Sequence, residues 1–298
     1  MARFLSALLL FVALATPAAT SAQITAADLW EALPDTAVLL DAGEAPSQTL
    51  RYDFSSLEPN AVHIAMSLQA EMNFDGLAPT GNTLPVITAT NRVTSIDLLS
   101  HSAVRLHFSL SGFDVQDAPG VEPRVIEQMR GLTRPLEGVS GSAMMSDRGE
   151  LSEFVFDLSG VPAATVASLG DLLENFRPTV IPLPEEAVGV GAQFAVAADV
   201  NTGGYVSRQT TLYTVTSLTD DGATLSATQS YSATSQENAQ TADLVWMLGT
   251  GEQSLNVQRS APMSTGSMAS TINIRMTMGP GRGARLVQTT TLNVTTAE

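Results

Sequence analysis

The chain has 298 residues, no cysteine and no lysine, and its 14 arginines against 30 acidic residues give a net charge of −16. That length supports one large β domain or two smaller ones. The missing cysteine excludes disulfides and a lipid on an N-terminal cysteine, and the acidity opposes binding to DNA, RNA or anionic lipid surfaces.

Residues 1–22 read as a secretory signal peptide. Arg3 gives a positive start, Phe4 to Ala15 an apolar run, and Thr20, Ser21 and Ala22 a small-residue cleavage site before Gln23. The run is too short to span a membrane, so the expected location is the periplasm or the medium. Thr25 with Asp28 resembles a capping box, and Leu29, Trp30 and Leu33 share a helical face that Pro34 ends.

From Leu50 the period becomes alternating. A short strand is expected at Leu50 to Phe54 and a long one at Val62 to Phe74, where Val62, Ile64, Met66, Leu68, Ala70, Met72 and Phe74 share one face. At roughly 3.3 Å per residue this strand is about 40 Å long, and twist over that distance curls a sheet. The rest of the chain must supply its partners. Asp75-Gly76 is a turn, Pro79 to Pro85 a loop, and Val86 to Leu99 and Val104 to Leu110 are further strands.

Pro123 opens a helix of about two turns that Gly131 stops, with Val125, Ile126 and Met129 on one side. Val139 to Ser146 and Leu151 to Leu158 form a hairpin around Asp147-Arg148-Gly149. The longest helix is expected from Pro162 to Phe176, with Val166, Leu169, Leu172, Leu173 and Phe176 as a buried stripe. Thr179 to Glu186, with Pro182 and Pro184, is extended and marks an internal boundary near 178–186. Beyond it strands are expected from Phe194 to Val200, Tyr205 to Leu218, Ala223 to Thr234, Ile272 to Met278 and Leu286 to Val294. Asn201 to Gly204, Asp220-Asp221-Gly222 and Gly279 to Gly283 are the turns. The fold class is mainly β (α+β). It is a long curled antiparallel sheet, half-barrel-like or two-lobed, with two or three short helices on its concave face.

Chemical motifs are few. Of the three histidines, His63, His101 and His107, two fall on the polar faces of long strands that can be neighbours, where a two-histidine metal site is conceivable. No carboxylate–histidine spacing accompanies them, so polar side chains on a solvated sheet face are the reading and no metal or other cofactor is expected. Gly138-Val139-Ser140-Gly141-Ser142 fails the nucleophile-elbow pattern at its last position. Gly279 to Gly283 lacks the lysine of a phosphate loop, and the acidic pairs Asp220-Asp221 and Glu185-Glu186 lack calcium-loop order. No enzyme is expected. A lipid-embedded barrel is disfavoured by the sparse aromatics and the proline-initiated helices.

The segment Leu183-Pro184-Glu185-Glu186-Ala187-Val188-Gly189-Val190-Gly191-Ala192-Gln193-Phe194 resembles a proline, glycine, aromatic signature of uncharacterised secreted bacterial β-rich proteins, with Phe194 where that family has tryptophan. In layout the chain also looks like the periplasmic lipoprotein-carrier half-barrels. The resemblance implies a curled sheet with helices on its concave side.

The functional expectation is a non-enzymatic binding protein. Its partner is an apolar ligand or a lipoprotein segment, held in a groove between sheet and helix and lined by Met66, Leu68, Met72, Phe74, Phe108, Val166, Leu169 and Leu173. The alternative is a structural or interaction module of the envelope, working through an edge strand or the acidic surface.

Overall fold

The computed structural model describes residues 36–117, 120–163, 179–202, 205–234, 243–277 and 283–297, together with residues 33, 166 and 236. It is mainly β. The strands are β1 (Val38–Asp41), β2 (Glu44–Thr49), β3 (Ala61–Phe74), β4 (Thr80–Thr83), β5 (Ile87–Ser100), β6 (Ala103–Val115), β7 (Ser140–Ser146) and β8 (Leu151–Asp157). They continue with β9 (Ala187–Val190), β10 (Gln193–Thr202), β11 (Tyr205–Thr219), β12 (Gly222–Ala233), β13 (Asp243–Gln258), β14 (Thr265–Thr277) and β15 (Gly283–Thr296).

All but β2 and β9 lie in one antiparallel sheet, in the order β1-β10-β11-β12-β13-β14-β15-β3-β5-β6-β7-β8, with β4 beside the far half of β3. The sheet does not close, and β1 and β8 are its edges. The long strand is central as expected. Its 14 residues pair with β15 over their whole length and with β5 and β4 in turn on the other side.

Alternation on β3 sorts the two faces. Val62, Ile64 and Met66 point into the core, whereas Gln69, Glu71 and Asn73 are exposed. The face carrying Ile64 is called the inner face below. The main core joins Val62, Ile64, Leu106, Leu110 and Met145 to Phe194, Tyr213, Val215 and Leu225, so strands far apart in the sheet order meet across one interior. A sheet can do this only by curling.

One end of that interior is plugged by loops. Leu50, Tyr52, Ile181 and Leu183 are buried there, and the Tyr52 hydroxyl both donates to the Ile181 carbonyl (3.3 Å) and accepts the Ile181 N–H (3.2 Å). Arg148, in the β7–β8 turn, donates to the carbonyls of Leu183 (3.1 Å) and Ala37 (3.3 Å), tying the β8 edge to the segment that leads into β1. Arg51 donates to Pro184 O, and Arg259 donates to Arg51 O.

Several expectations are corrected. Residues 50–53 form no strand: Leu50 and Tyr52 are drawn into the plug, and the local strand is β2, two-stranded with β9. The 79–85 loop contains β4, which continues the β3 hairpin after the Asp75-Gly76 turn. Among the described residues there is one α-helix, not two or three. This is α1 (Pro123–Thr133), which packs Ile126, Met129 and Leu132 on the core and leads into a single 3-10 turn, Arg134–Leu136.

Helix α1 runs past Gly131, because that glycine keeps a helical backbone and the Arg134 N–H bonds back to Arg130 O. The helices expected at Thr25 to Leu33 and Pro162 to Phe176 lie outside the described residues, save for the first bond of the second, from Val166 N–H to Pro162 O (3.1 Å). β13 has no counterpart among the expected strands.

Candidate ligand-binding face

The register of β10 to β15 and β3 stacks the inner-face side chains in rows that cross the strands. Two rows belong to the core: Val215, Leu225, Leu255, Val294 and Ile64 are in one. Tyr213, Ala227, Met268, Leu292 and Met66 are in the other. The next row is polar, with Thr211, Gln229, Ser270 and Thr290 side by side and Leu68 at its end. All four polar side chains are buried.

Beyond this belt the face becomes apolar again. Met247, Ile274, Leu286 and Met72 are opposed on four successive strands, and Leu244, Met276, Ala284 and Phe74 follow. Tyr205, Tyr231, Leu244, Met247, Ile272 and Ile274 form a second cluster separate from the main core, with Met276 and Leu286 packed against it. The sheet therefore carries two apolar regions on one face, divided by hydrogen-bonding groups.

Tyr231 joins belt and cluster. Its hydroxyl donates to Gln229 Oε1 (2.8 Å), and burial pushes its phenol up to about 12. Tyr213, at the core border, stacks on Phe194 with centroids 4.9 Å apart, and burial raises its phenol as well. β13 faces this region with Gly249 and Gly251. A Cβ on Gly249 would come within 2.9 Å of Ile272 Cγ1, and one on Gly251 within 2.9 Å of Gln229 Oε1, so side chains from neighbouring strands occupy the room the glycines leave.

The residues named from the sequence distribute along this face. Met66 is packed into the core and only 5 % exposed, Leu68 ends the polar belt, and Met72 and Phe74 border the second cluster. Phe108 is elsewhere: it is fully buried on β6, 5.3 Å from Phe154 and 5.6 Å from Phe156, and a Cβ on Gly141 would run into its ring. Val166 is half-buried, whereas Leu169 and Leu173 lie outside the described residues.

Sequence reading missed Met247, Leu244, Tyr205 and Tyr231 as members. A signal existed for Tyr231, flanked by serines in an alternating strand. None existed for Met247, which is followed at the next two inner-face positions along β13 by Gly249 and Gly251 and preceded by a bulge between Leu244 and Trp246 that breaks the alternation.

The histidines are not brought together. His63 stands opposite Thr90 and Thr295, and His107 opposite Ser95 and Ser142, with its Nε2 2.9 Å from Asp97 Oδ2. At the tip of the β3–β4 turn Arg275 binds Asp75 through two contacts of 2.8 and 2.7 Å, and this pairing holds the Asp75 carboxyl below the usual range. No protein-family model matches this chain, and no curated protein matches its sequence.

Proposed function

We propose that the protein is a non-enzymatic, secreted or periplasmic binding protein that holds an apolar ligand or lipoprotein segment on the inner face of its open sheet. The observation that carries this reading is the second apolar region. A close-packed protein needs one core, but here a buried belt of Thr211, Gln229, Ser270 and Thr290 interrupts the apolar surface, which then resumes through Met247, Ile274, Leu286 and Met72. Methionine and leucine adapt to ligands of irregular shape, and the polar row supplies hydrogen bonds for a ligand's head. The signal-peptide reading of residues 1–22 and the resemblance to lipoprotein-carrier half-barrels support the same class of function.

The test is organic extraction of the purified protein followed by titration with the uncharged apolar dye N-phenyl-1-naphthylamine. An extracted lipid or a saturable fluorescence gain is expected, with the gain reduced at least tenfold in Met72→Glu and kept in Gln69→Glu. No lipid and no gain, or equal effects of the two variants, would overturn it.

A second reading, an envelope interaction module, draws on the edge strand β8, where Val155 is 59 % exposed. Cross-linking in periplasmic extract through a photoreactive residue at position 155 separates it from the first. A defined protein adduct supports it, and a blank result counts against it.

A further inference from the structure

The opposite face of the same strands is of another character. The outer side chains of β11 to β15 and β3 also stack in rows. In one of these rows Thr210, Ser230, Thr250, Thr271 and Thr289 stand side by side on five successive strands, with Gln69 next. The neighbouring rows contribute Thr228, Glu252 and Thr291, then Thr214, Ser226, Ser254 and Ser267. Neighbouring strands are about 4.8 Å apart, so hydroxyls recur at that interval across the sheet. The surface also carries a trough of about 640 Å³ over these rows and a second hollow of about 360 Å³ that shares Ser230, Thr250 and Thr271 with it.

Its chemistry is narrow. Glu252 is the one charged side chain lining the trough among the described residues, and no cation lines it. Thr271 and Thr289 hydrogen-bond each other (3.3 Å), but the hydroxyls of Thr228, Ser230 and Thr250 have no hydrogen-bond partner among the described residues. Ser230 is only 8 % exposed and lines both hollows, so a donor and acceptor with no partner among the described residues sits at the floor where they join. Ala269 adds a small exposed apolar patch, while Leu212 closes one end and is buried in a cluster with Ala195.

We propose that this trough is a binding site for a neutral glycan chain. A sugar strand presents hydroxyls that are at once donors and acceptors, and C–H faces that suit a small apolar side chain. The hydroxyl rows match the first and Ala269 the second. Charge selects among polymers: a lone carboxylate within a chain of net charge −16 repels nucleic acid and acidic polysaccharide, leaving an uncharged polyol as the complementary occupant. This site is independent of the inner-face reading and survives its failure.

The experiment is calorimetric titration of the intact protein with three uncharged hexasaccharides, a β-1,4-glucan, an α-1,4-glucan and an N-acetylated β-1,4-glucosamine, beside one uronic-acid hexamer. Saturable binding of at least one neutral chain is expected, with no binding of the uronic acid. Thr250→Val and Thr271→Val keep shape and strand preference while removing a hydroxyl. Each should weaken binding threefold to tenfold, and Ser230→Leu, which fills the floor, at least tenfold. Met72→Glu should leave the affinity within twofold. Unchanged melting temperatures of the valine variants show that the fold is kept. No neutral chain binding at millimolar concentration, preference for the uronic acid, or unchanged affinity in both valine variants would overturn the site.

Discussion

Ile64 and Gln69 lie five residues apart on β3 and face opposite ways, so the same carboxylate introduced at each meets opposite surroundings. Ile64 is fully buried in the main core, and Ile64→Asp leaves an unpaired charge among Val294, Ala89 and their neighbours, at a cost of about 4 kcal/mol or more. Gln69→Asp stays in solvent and should change stability by less than about 0.5 kcal/mol. Leu68→Asp separates the core from the belt. Leu68 is half-buried opposite Thr290, which can offer its hydroxyl, so its cost should fall between the other two. Urea denaturation of the three variants checks the order, and a Leu68→Asp penalty equal to that of Ile64→Asp would show that the belt gives a carboxylate no relief.

Whole elements were legible in proportion to the side chains that mark their period. β3 and the β7–β8 hairpin carry unbroken alternation and were read to within a residue, whereas β6 was expected over Val104 to Leu110 and runs on to Val115. β13 is the longest strand, at 16 residues, and was not read at all, because Gly249 and Gly251 stand at the inner positions that would have shown its period, while Leu248 faces outward. Close approach across the sheet requires those glycines, so packing itself removed the signal. The candidate face suffered likewise: its β3 residues were visible, but its partners on β13 to β15 became neighbours only through register, which a single sequence does not state. In α1 the misreading went the other way, with Gly131 taken as a stop although it is an ordinary helical position. It is exposed, and nothing lies near where its Cβ would be. Gly131→Ala should therefore stabilise the protein by about 0.5–1 kcal/mol, by restricting the unfolded chain and favouring the helix. Thermal melting reads this out, and a loss of stability would mean that the helix does end there.

At the scale of the whole molecule, an open sheet keeps its curl only if its ends are held, and the holding contacts are concentrated in the plug. Arg148 bridges Leu183 O and Ala37 O, so Arg148→Met, which keeps most of the stem but removes both donors, should loosen the β1 and β8 ends together. Faster amide exchange at Val38–Asp41 and Leu151–Asp157, with β14 unchanged, is the expected pattern. The tyrosines report on the integrity of the same interior. Tyr52 in the plug, Tyr213 in the core and Tyr231 in the second cluster all have phenols raised by burial, Tyr52 and Tyr231 to about 12. In the unfolded chain each ionises near 10, so between pH 10 and 12 the unfolded state has lost protons that the folded state retains, and stability falls as pH rises through that window. Below pH 10 the contribution is fully present. Each tyrosine adds about 1.4 kcal/mol of loss per pH unit there, so a steep drop in melting temperature above pH 10 is expected, coinciding with phenolate absorbance. Tyr231→Phe removes one ionisation at the cost of one hydrogen bond to Gln229, and should flatten the drop while lowering stability slightly at pH 8. In a Tyr205→Phe background, which leaves only these three phenols, absorbance that rises near pH 10 before any unfolding would show that these rings are reached by solvent in the folded protein, and would remove the buried character on which both the plug and the second cluster depend.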